Sequence, residues 1–177
     1  MRARLGLLLA LLLTAGLTAA DGAYEEPETF VAGAFGGNAP APSMLWLTGD
    51  RKLEVRKILD HDYSTMRIRY WREDDRTVWV LDEIGKEQPI TAGFVVARGA
   101  LETVHVLVFR ESRGWEIRHP FFTDQFKDAE LNTDGQLNKS IDGISGATLS
   151  VRAMKKLATL ALYLDAQARS EHVESTP

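Results

Sequence analysis

A run of small and hydroxyl-bearing residues, Asp-Gly-Ile-Ser-Gly-Ala-Thr at 142–148, leads directly into a segment with helical hydrophobic spacing. The first turn of a helix has unpaired N–H groups and the positive end of the helix dipole, so it attracts anions. We expect the backbone of Ser145, Gly146 and Ala147 to hold a phosphate. Thr148 would then place its hydroxyl beside that phosphate, where the hydroxyl can become the acceptor of a phosphoester.

Other phosphate-binding loops are absent from the sequence. It contains neither Gly-x-x-x-x-Gly-Lys-Ser/Thr nor Gly-x-Gly-x-x-Gly, so ATP or NAD binding has no support. Gly143 and Gly146 by themselves are as typical of a plain turn and helix cap as of a ligand site. Asp142 also has two interpretations. In the first, it caps backbone donors in an Asx-turn. In the second, it helps to form the phosphate link rather than to hold the product, because a carboxylate close to a phosphodiester repels it.

The elements that must position this segment are predicted from hydrophobic patterning. The pattern indicates an α+β fold in which an antiparallel sheet is packed by a long C-terminal helix. Alternation of side chains predicts a strand at 66–71, and three more strands are predicted at 77–81, 90–97 and 103–110. Helical spacing predicts three helices, at 44–59 with Asp50 as N-cap, at 120–126 and at 148–168. One apolar stripe on the last helix should face the sheet: Val151, Met154, Leu157, Ala158, Ala161, Leu164 and Ala168.

The two ends of the chain differ from this central domain. Two arginines followed by an apolar run over 5–17 and by small residues predict a secretory signal peptide over 1–20. An uncleaved anchor is the alternative, although the run is short for a membrane span. Residues 21–43 are rich in Gly, Ala and Pro, which predicts a flexible leader. The folded domain is expected over 44–169, followed by a disordered tail at 170–177.

Composition excludes several classes of protein. There is no cysteine among the 177 residues, which excludes disulfides, thiolate metal sites, cysteine-ligated iron–sulfur clusters and c-type haem attachment. The formal net charge of −4 argues against nucleic acid as a partner. The four histidines lack metal-ligand spacing, so no metal site is expected. With a signal peptide, the mature protein is expected in the periplasm.

The 142–148 string matches the flavinylation motif of FMN-binding domains. In this respect the chain resembles the C subunit of the sodium-translocating NADH:quinone oxidoreductase and the G subunit of Rnf-type complexes. Upstream, Glu-Ser-Arg-Gly at 111–114 and the Phe-rich stretch after it are also similar to that family. The resemblance covers about residues 83–167. It implies an FMN-binding-domain-like fold and covalent FMN on Thr148 through a phosphoester, attached by a flavin transferase that uses FAD.

The resemblance also implies roles in cofactor binding for Glu111 and Trp115. Glu111 would hydrogen-bond the flavin ring or order its own loop, and the alternative is an exposed ion pair with Arg110 or Arg113. Trp115 would cover a face of the flat ring, and the alternative is ordinary packing. The motif residues expected to contact the cofactor are Asp142, Gly143, Ser145, Gly146, Ala147 and Thr148.

Together these observations predict a periplasmic electron-transfer flavoprotein with covalent FMN. Its partners would be a flavin transferase and a membrane-bound or soluble redox partner. The alternative is a sensory module that binds FMN or another phosphate ligand without redox turnover. Reduction of a small substrate at the flavin is a weaker option, because the sequence offers no acid–base pair for it. The chain is therefore expected to be an electron carrier rather than a catalyst with its own substrate.

Overall fold

A computed structural model describes residues 24–175, with side chains described as far as residue 172. The predicted signal peptide over 1–20 lies outside the described residues. The chain folds around one five-stranded sheet with helices on both faces. The strands are β1 (Ser43–Trp46), β2 (Arg67–Glu73), β3 (Arg76–Ile84), β4 (Pro89–Ala97) and β5 (Ala100–Phe109). The α-helices are α1 (Pro27–Ala34), α2 (Gly49–Leu59), α3 (Pro120–Thr123) and α4 (Thr148–Ser175).

The sheet is an antiparallel meander with the spatial order β1-β2-β3-β4-β5. Short turns join β2, β3, β4 and β5, so each strand pairs with its neighbour in the chain. At the centre, Trp79 of β3 lies opposite Phe94 of β4, and both side chains are fully buried. The predicted α+β class, with an antiparallel sheet and a long last helix, is confirmed.

The first strand corrects the predicted helix over 44–59. Residues Ser43–Trp46 form β1 and pair with β2, and the helix begins only at Gly49. Leu45 is the one buried residue of this strand. This burial is typical of a short edge strand that turns one face to the core. The N-cap of α2 is Thr48 rather than the predicted Asp50, which lies in the first helical turn.

Helix α4 packs on the inner face of the sheet, as its apolar stripe predicts. All seven stripe residues are at most 5% exposed. They form one core cluster with inward-facing residues of the strands and with Val55 and Leu59 of α2. The helix continues to Ser175, so residues 170–175 are helical rather than part of the predicted disordered tail. Among residues 24–175, no helix combines the length and apolarity needed to span a membrane.

A polar network crosses this core between α4 and β3. The fully buried Asp165 accepts a hydrogen bond from the Thr77 hydroxyl at 2.8 Å and forms an ion pair with Arg169 at 2.9 Å. Thr77 in turn accepts a hydrogen bond from the indole N–H of Trp79. Burial raises the pKa of Asp165, whereas the hydroxyl and the guanidinium favour its ionised form. The network fixes how α4 lies on the sheet.

The outer face of the sheet is covered by α1, which lies within the predicted flexible leader. Phe30, Val31 and Phe35 are buried against outward-facing residues of β3, β4 and β5. That apolar burial overrides the Gly- and Ala-rich composition of the segment, and Pro27 at the helix start favours the helical φ. Residues 24–43 are therefore part of the folded domain, and the prediction of a flexible leader was wrong for them.

We expect Gly93→Ala to loosen α1 from the sheet. A Cβ at position 93 would lie 2.4 Å from Phe30 Cε1, so the buried ring and its helix must shift. Overpacking of this kind costs about 1–3 kcal/mol. Gly33→Ala in α1 is the matched control, because a Cβ there meets nothing within 4 Å. Thermal unfolding of both variants checks this, and equal midpoints would contradict the tight contact.

Candidate functional site

The segment before α4 forms a tight turn. The Ala147 N–H donates to the Ile144 carbonyl at 3.0 Å, and Gly146 has a φ of +81°. This positive φ at the third position of the turn is the conformation that favours glycine. The first helical hydrogen bond of α4 then runs from the Val151 N–H to the Ala147 carbonyl at 2.9 Å. The turn thus fixes the place at which the helix begins.

The turn changes which backbone N–H groups can bind a phosphate. The Ala147 N–H is used inside the turn, so it cannot also bind a phosphate as the sequence predicts. Within the described chain, the N–H groups of Ser145 and Gly146 have no hydrogen-bond partner, and those of the first helical turn are free in the same way. These free N–H groups form a candidate phosphate site that is centred on Gly146 and Thr148 rather than on Ala147.

Thr148 is the first residue of α4, and it is exposed. Neither Gly143 nor Gly146 has a neighbouring atom within 4 Å of the position that a Cβ would take, so the space around the motif is open. Ser150, two residues further on, is buried and faces the core. Of these two hydroxyls, only that of Thr148 is presented to an incoming ligand.

The upstream segment at 111–115 packs directly on the start of α4. A Cβ at Gly114 would lie 2.7 Å from Ser150 Oγ and 3.4 Å from Ala147 Cβ. Gly114 also has a φ of +89°, so two independent constraints require glycine at this position. The structure thereby brings Gly114, the residue before Trp115, against the start of α4, although the two segments are far apart in sequence.

Exposed aromatic side chains follow Gly114. Trp115 is 44% exposed and Phe121 is 62% exposed, and the ring of His119 contacts both of them. The Arg118 guanidinium lies 5.1 Å from the Trp115 ring centroid and 4.4 Å from that of Tyr24. A surface pocket of about 550 Å³ borders this aromatic cluster. Flat aromatic faces of this kind suit the stacking of a planar ring.

Asp142 is tied to the neighbouring short helix by its backbone. Its N–H donates to the Gln125 side-chain oxygen at 2.7 Å. Its carboxylate is exposed and accepts no hydrogen bond from the described residues, so the Asx-turn interpretation has no support in this structure. The carboxylate is free to act on a molecule outside the chain.

Glu111 orders the turn between β3 and β4. One carboxylate oxygen accepts hydrogen bonds from the N–H groups of Lys86, Glu87 and Gln88 at 2.5, 2.6 and 2.9 Å. Partial burial acts to raise the pKa of Glu111, but the three donors outweigh it and hold this pKa below its ordinary value. Among the described residues no hydrogen bond joins Glu111 to the Thr148 segment, and the contacts of its carboxylate are those that order the turn at 86–88.

We expect Glu111→Gln to destabilise the protein in a pH-dependent way. The ionised carboxylate has a lowered folded-state pKa, so its stabilisation is present above the ordinary pKa and is lost as pH falls through the folded value. Losing the charge should cost about 1 kcal/mol at pH 7. The deficit should shrink as the pH falls below 4.5, the ordinary value.

Urea unfolding at several pH values measures this difference. Glu87→Gln is the matched control, because Glu87 forms only an exposed ion pair with Lys86 and such pairs contribute little. A Glu111→Gln deficit that does not change with pH would contradict the role of the charge.

Sequence reasoning missed two features of this region. His119 and Phe121 complete the aromatic cluster with Trp115, and only their contacts in the folded chain connect them. Arg152 lies four residues after Thr148 on α4, which is one helical turn, and this spacing is visible in the sequence. In residues 24–172 no three His, Asp or Glu side chains converge as a metal site.

The fold and this site define a small α+β ligand-binding domain with an exposed hydroxyl at a helix start. Residues 85–163 match the family model of the FMN-binding domain. This segment extends from the β3–β4 turn through Thr148 into α4. Over these residues the chain is similar to FMN-binding domains, which supports a role in flavin binding with FMN as the cofactor. A search among curated proteins found no match.

Proposed function

We propose that this protein is an electron-transfer flavoprotein that carries FMN covalently through a phosphoester to Thr148. The observation that carries the proposal is the exposed Thr148 hydroxyl at the start of α4, inside the segment that matches the FMN-binding family. The match to the family model alone supports flavin binding. The position of the hydroxyl adds the reason for a covalent link, because a phosphate held at this helix start lies beside it.

The residues present fit FMN. The backbone N–H groups of Ser145, Gly146 and the first turn of α4 have no hydrogen-bond partner in the described chain, so they can donate to the phosphate oxygens. The exposed faces of Trp115 and Phe121 offer stacking surfaces for the ring. When bound, the isoalloxazine ring supplies reversible electron transfer, and the protein positions it. An electron carrier needs no acid–base residues of its own, which agrees with the absence of such a pair in the sequence.

The attachment step balances with FAD as the donor. A bond forms between Thr148 Oγ and the phosphorus of the FMN half, and the bond from this phosphorus to the bridging oxygen breaks. AMP leaves with that oxygen, and the hydroxyl proton passes to solvent. No electrons are transferred in this step. A flavin transferase would bring the donor to the exposed hydroxyl, and the free Asp142 carboxylate is placed for recognition by it.

A covalent link has a physical advantage outside the cytoplasm. A dissociable cofactor is lost by mass action where no pool of free FMN replenishes it. An ester on Thr148 prevents that loss and leaves the ring free. We propose that the protein is exported, and that it exchanges electrons with a membrane-bound or soluble redox partner.

Wild-type protein produced together with a flavin transferase tests the covalent assignment. We expect yellow protein that stays yellow after denaturation, with a mass above the unmodified value by one FMN less one water. Peptide mapping should place the added mass on the peptide that contains Thr148. Flavin that washes out of the unfolded protein would instead support the binding-module alternative.

Export is tested separately. The apolar run over 5–17 and the small residues before Asp21 motivate cleavage at that point. We expect N-terminal sequencing of periplasmic protein to begin near Asp21. Intact Met1 in a membrane fraction would show an anchor in place of a cleaved signal peptide.

A further inference from the structure

A basic groove lies between α2, α4 and the loop at 134–141, which leads directly into the Thr148 motif. Its volume is about 400 Å³. Its floor includes the apolar side chains of Ile58, Leu137 and Ile141. Five cationic and two acidic residues line the groove: Lys57, Lys139, Arg152, Lys155, Lys156, Glu54 and Asp134. This excess of positive charge is local, because the whole chain has a net charge of −4.

Two of these cations have no partner among the residues that the structure describes. Lys156 forms an ion pair with Asp60 at 3.0 Å, and Lys57 forms one with Glu54 at 3.3 Å. The side chains of Arg152 and Lys155, in contrast, make no hydrogen bond or ion pair with the rest of the described chain. They are three residues apart on α4, a spacing at which like charges repel. An anion bound between them would relieve that repulsion.

We propose that the basic groove binds the phosphate group of a mononucleotide-sized ligand, with Arg152 and Lys155 as its charge partners. A guanidinium donates two parallel hydrogen bonds to phosphate oxygens, and an ammonium adds a compact charge. The groove volume lies within the range of small-molecule sites, and the apolar floor suits a flat base or ring. The concave shape favours such a ligand over the surface of an acidic protein.

The basic groove and the Thr148 hydroxyl lie on the same side of α4. Arg152 lies one turn after Thr148, so both project from the same side of α4. A phosphate bound by Arg152 would therefore lie on the side of the helix that presents the Thr148 hydroxyl. The inference goes beyond the proposed function, because phosphate binding here does not require an ester to form.

Ligand titrations of the Thr148→Ala protein, which cannot form the ester, test the inference. Chemical-shift changes in the amide spectrum report binding of four probes: inorganic phosphate, AMP, FMN and riboflavin. We expect AMP and FMN to shift residues of the groove, and riboflavin, which lacks the phosphate, to bind at least about tenfold more weakly. Binding of AMP should weaken as salt concentration rises.

Three variants of this protein identify the charge partners. Arg152→Gln and Lys155→Gln should each weaken AMP binding about fivefold, and Arg152→Lys should recover part of the loss. Lys52→Gln is the matched control, because Lys52 is an exposed lysine of α2 that does not line the groove. Unchanged thermal midpoints would exclude misfolding as the cause of weaker binding.

Several outcomes would overturn the inference. Riboflavin binding as tightly as FMN, binding of inorganic phosphate without AMP, or unchanged AMP affinity in the Arg152→Gln, Lys155→Gln double variant would each do so. Shifts produced only by acidic proteins would assign the groove to a protein partner instead. Failure of the proposed function is seen separately, as wild-type protein that carries no flavin on Thr148 while AMP still binds the groove.

Discussion

Thr148→Ala is expected to abolish covalent flavin completely. Alanine offers no oxygen for the phosphoester, so protein produced together with a flavin transferase should be colourless after denaturation and should have the unmodified mass. Thr148→Ser should keep part of the modification, because the hydroxyl is retained. The fold should survive both changes, since Thr148 is an exposed residue of the first turn and altering a helix start costs about 1 kcal/mol.

Ser150→Ala is the matched control for the loss of a hydroxyl. Ser150 lies in the same helical turn, but it is buried and its Oγ faces Gly114 rather than the open side of the motif. We expect Ser150→Ala to retain full modification. Wild-type levels of modification in Thr148→Ala, or a modified peptide without Thr148, would refute the covalent assignment. Mass spectrometry of the intact and digested proteins distinguishes these results.

Leu157→Asp is expected to unfold the domain or to cost more than about 4 kcal/mol, because it buries an unpaired charge. Leu157 is fully buried in the cluster that joins α4 to the sheet. Since α4 begins at Thr148, the loss of its packing should also reduce the proposed modification of that residue. Thermal unfolding followed by circular dichroism measures the effect on stability.

Ala166→Asp provides the control for this substitution. Ala166 lies on the exposed side of the same helix, so an added carboxylate there remains solvated. We expect a midpoint close to that of the wild type. A Leu157→Asp protein that is as stable as Ala166→Asp would show that the apolar stripe does not form the core.

The elements with strong periodicity were predictable. The alternation in β2 and the stripe from Val151 to Ala168 each bury one face, so pattern and tertiary burial agree. The predictions were wrong where tertiary contacts override a weak local pattern. Residues 27–34 read as a flexible leader, yet the outer face of the sheet offers Phe30 a buried position. Residues 44–46 were predicted to be helical, yet they form hydrogen bonds with β2 as part of β1.

The candidate site likewise has features that the sequence predicts and features that only the folded chain shows. The position of Thr148 at a helix start follows from local spacing, and the structure places α4 from that residue. Which backbone donors remain free does not follow from spacing, because the turn at 144–147 consumes the Ala147 N–H. The loop-ordering role of Glu111 and the contact of Gly114 with Ser150 depend on segments that meet only in the folded chain.

The sequence by itself determined the antiparallel α+β class, the long final helix and the 142–148 motif, because each depends on residues that are close together along the chain. Only the tertiary structure decided what surrounds that motif. It placed Gly114 against Ala147 and Ser150 at the start of α4, and it assembled the basic groove from α2, α4 and the loop at 134–141. Contacts between distant segments form when the core is buried, and burial is a property of the whole fold rather than of any short stretch of residues.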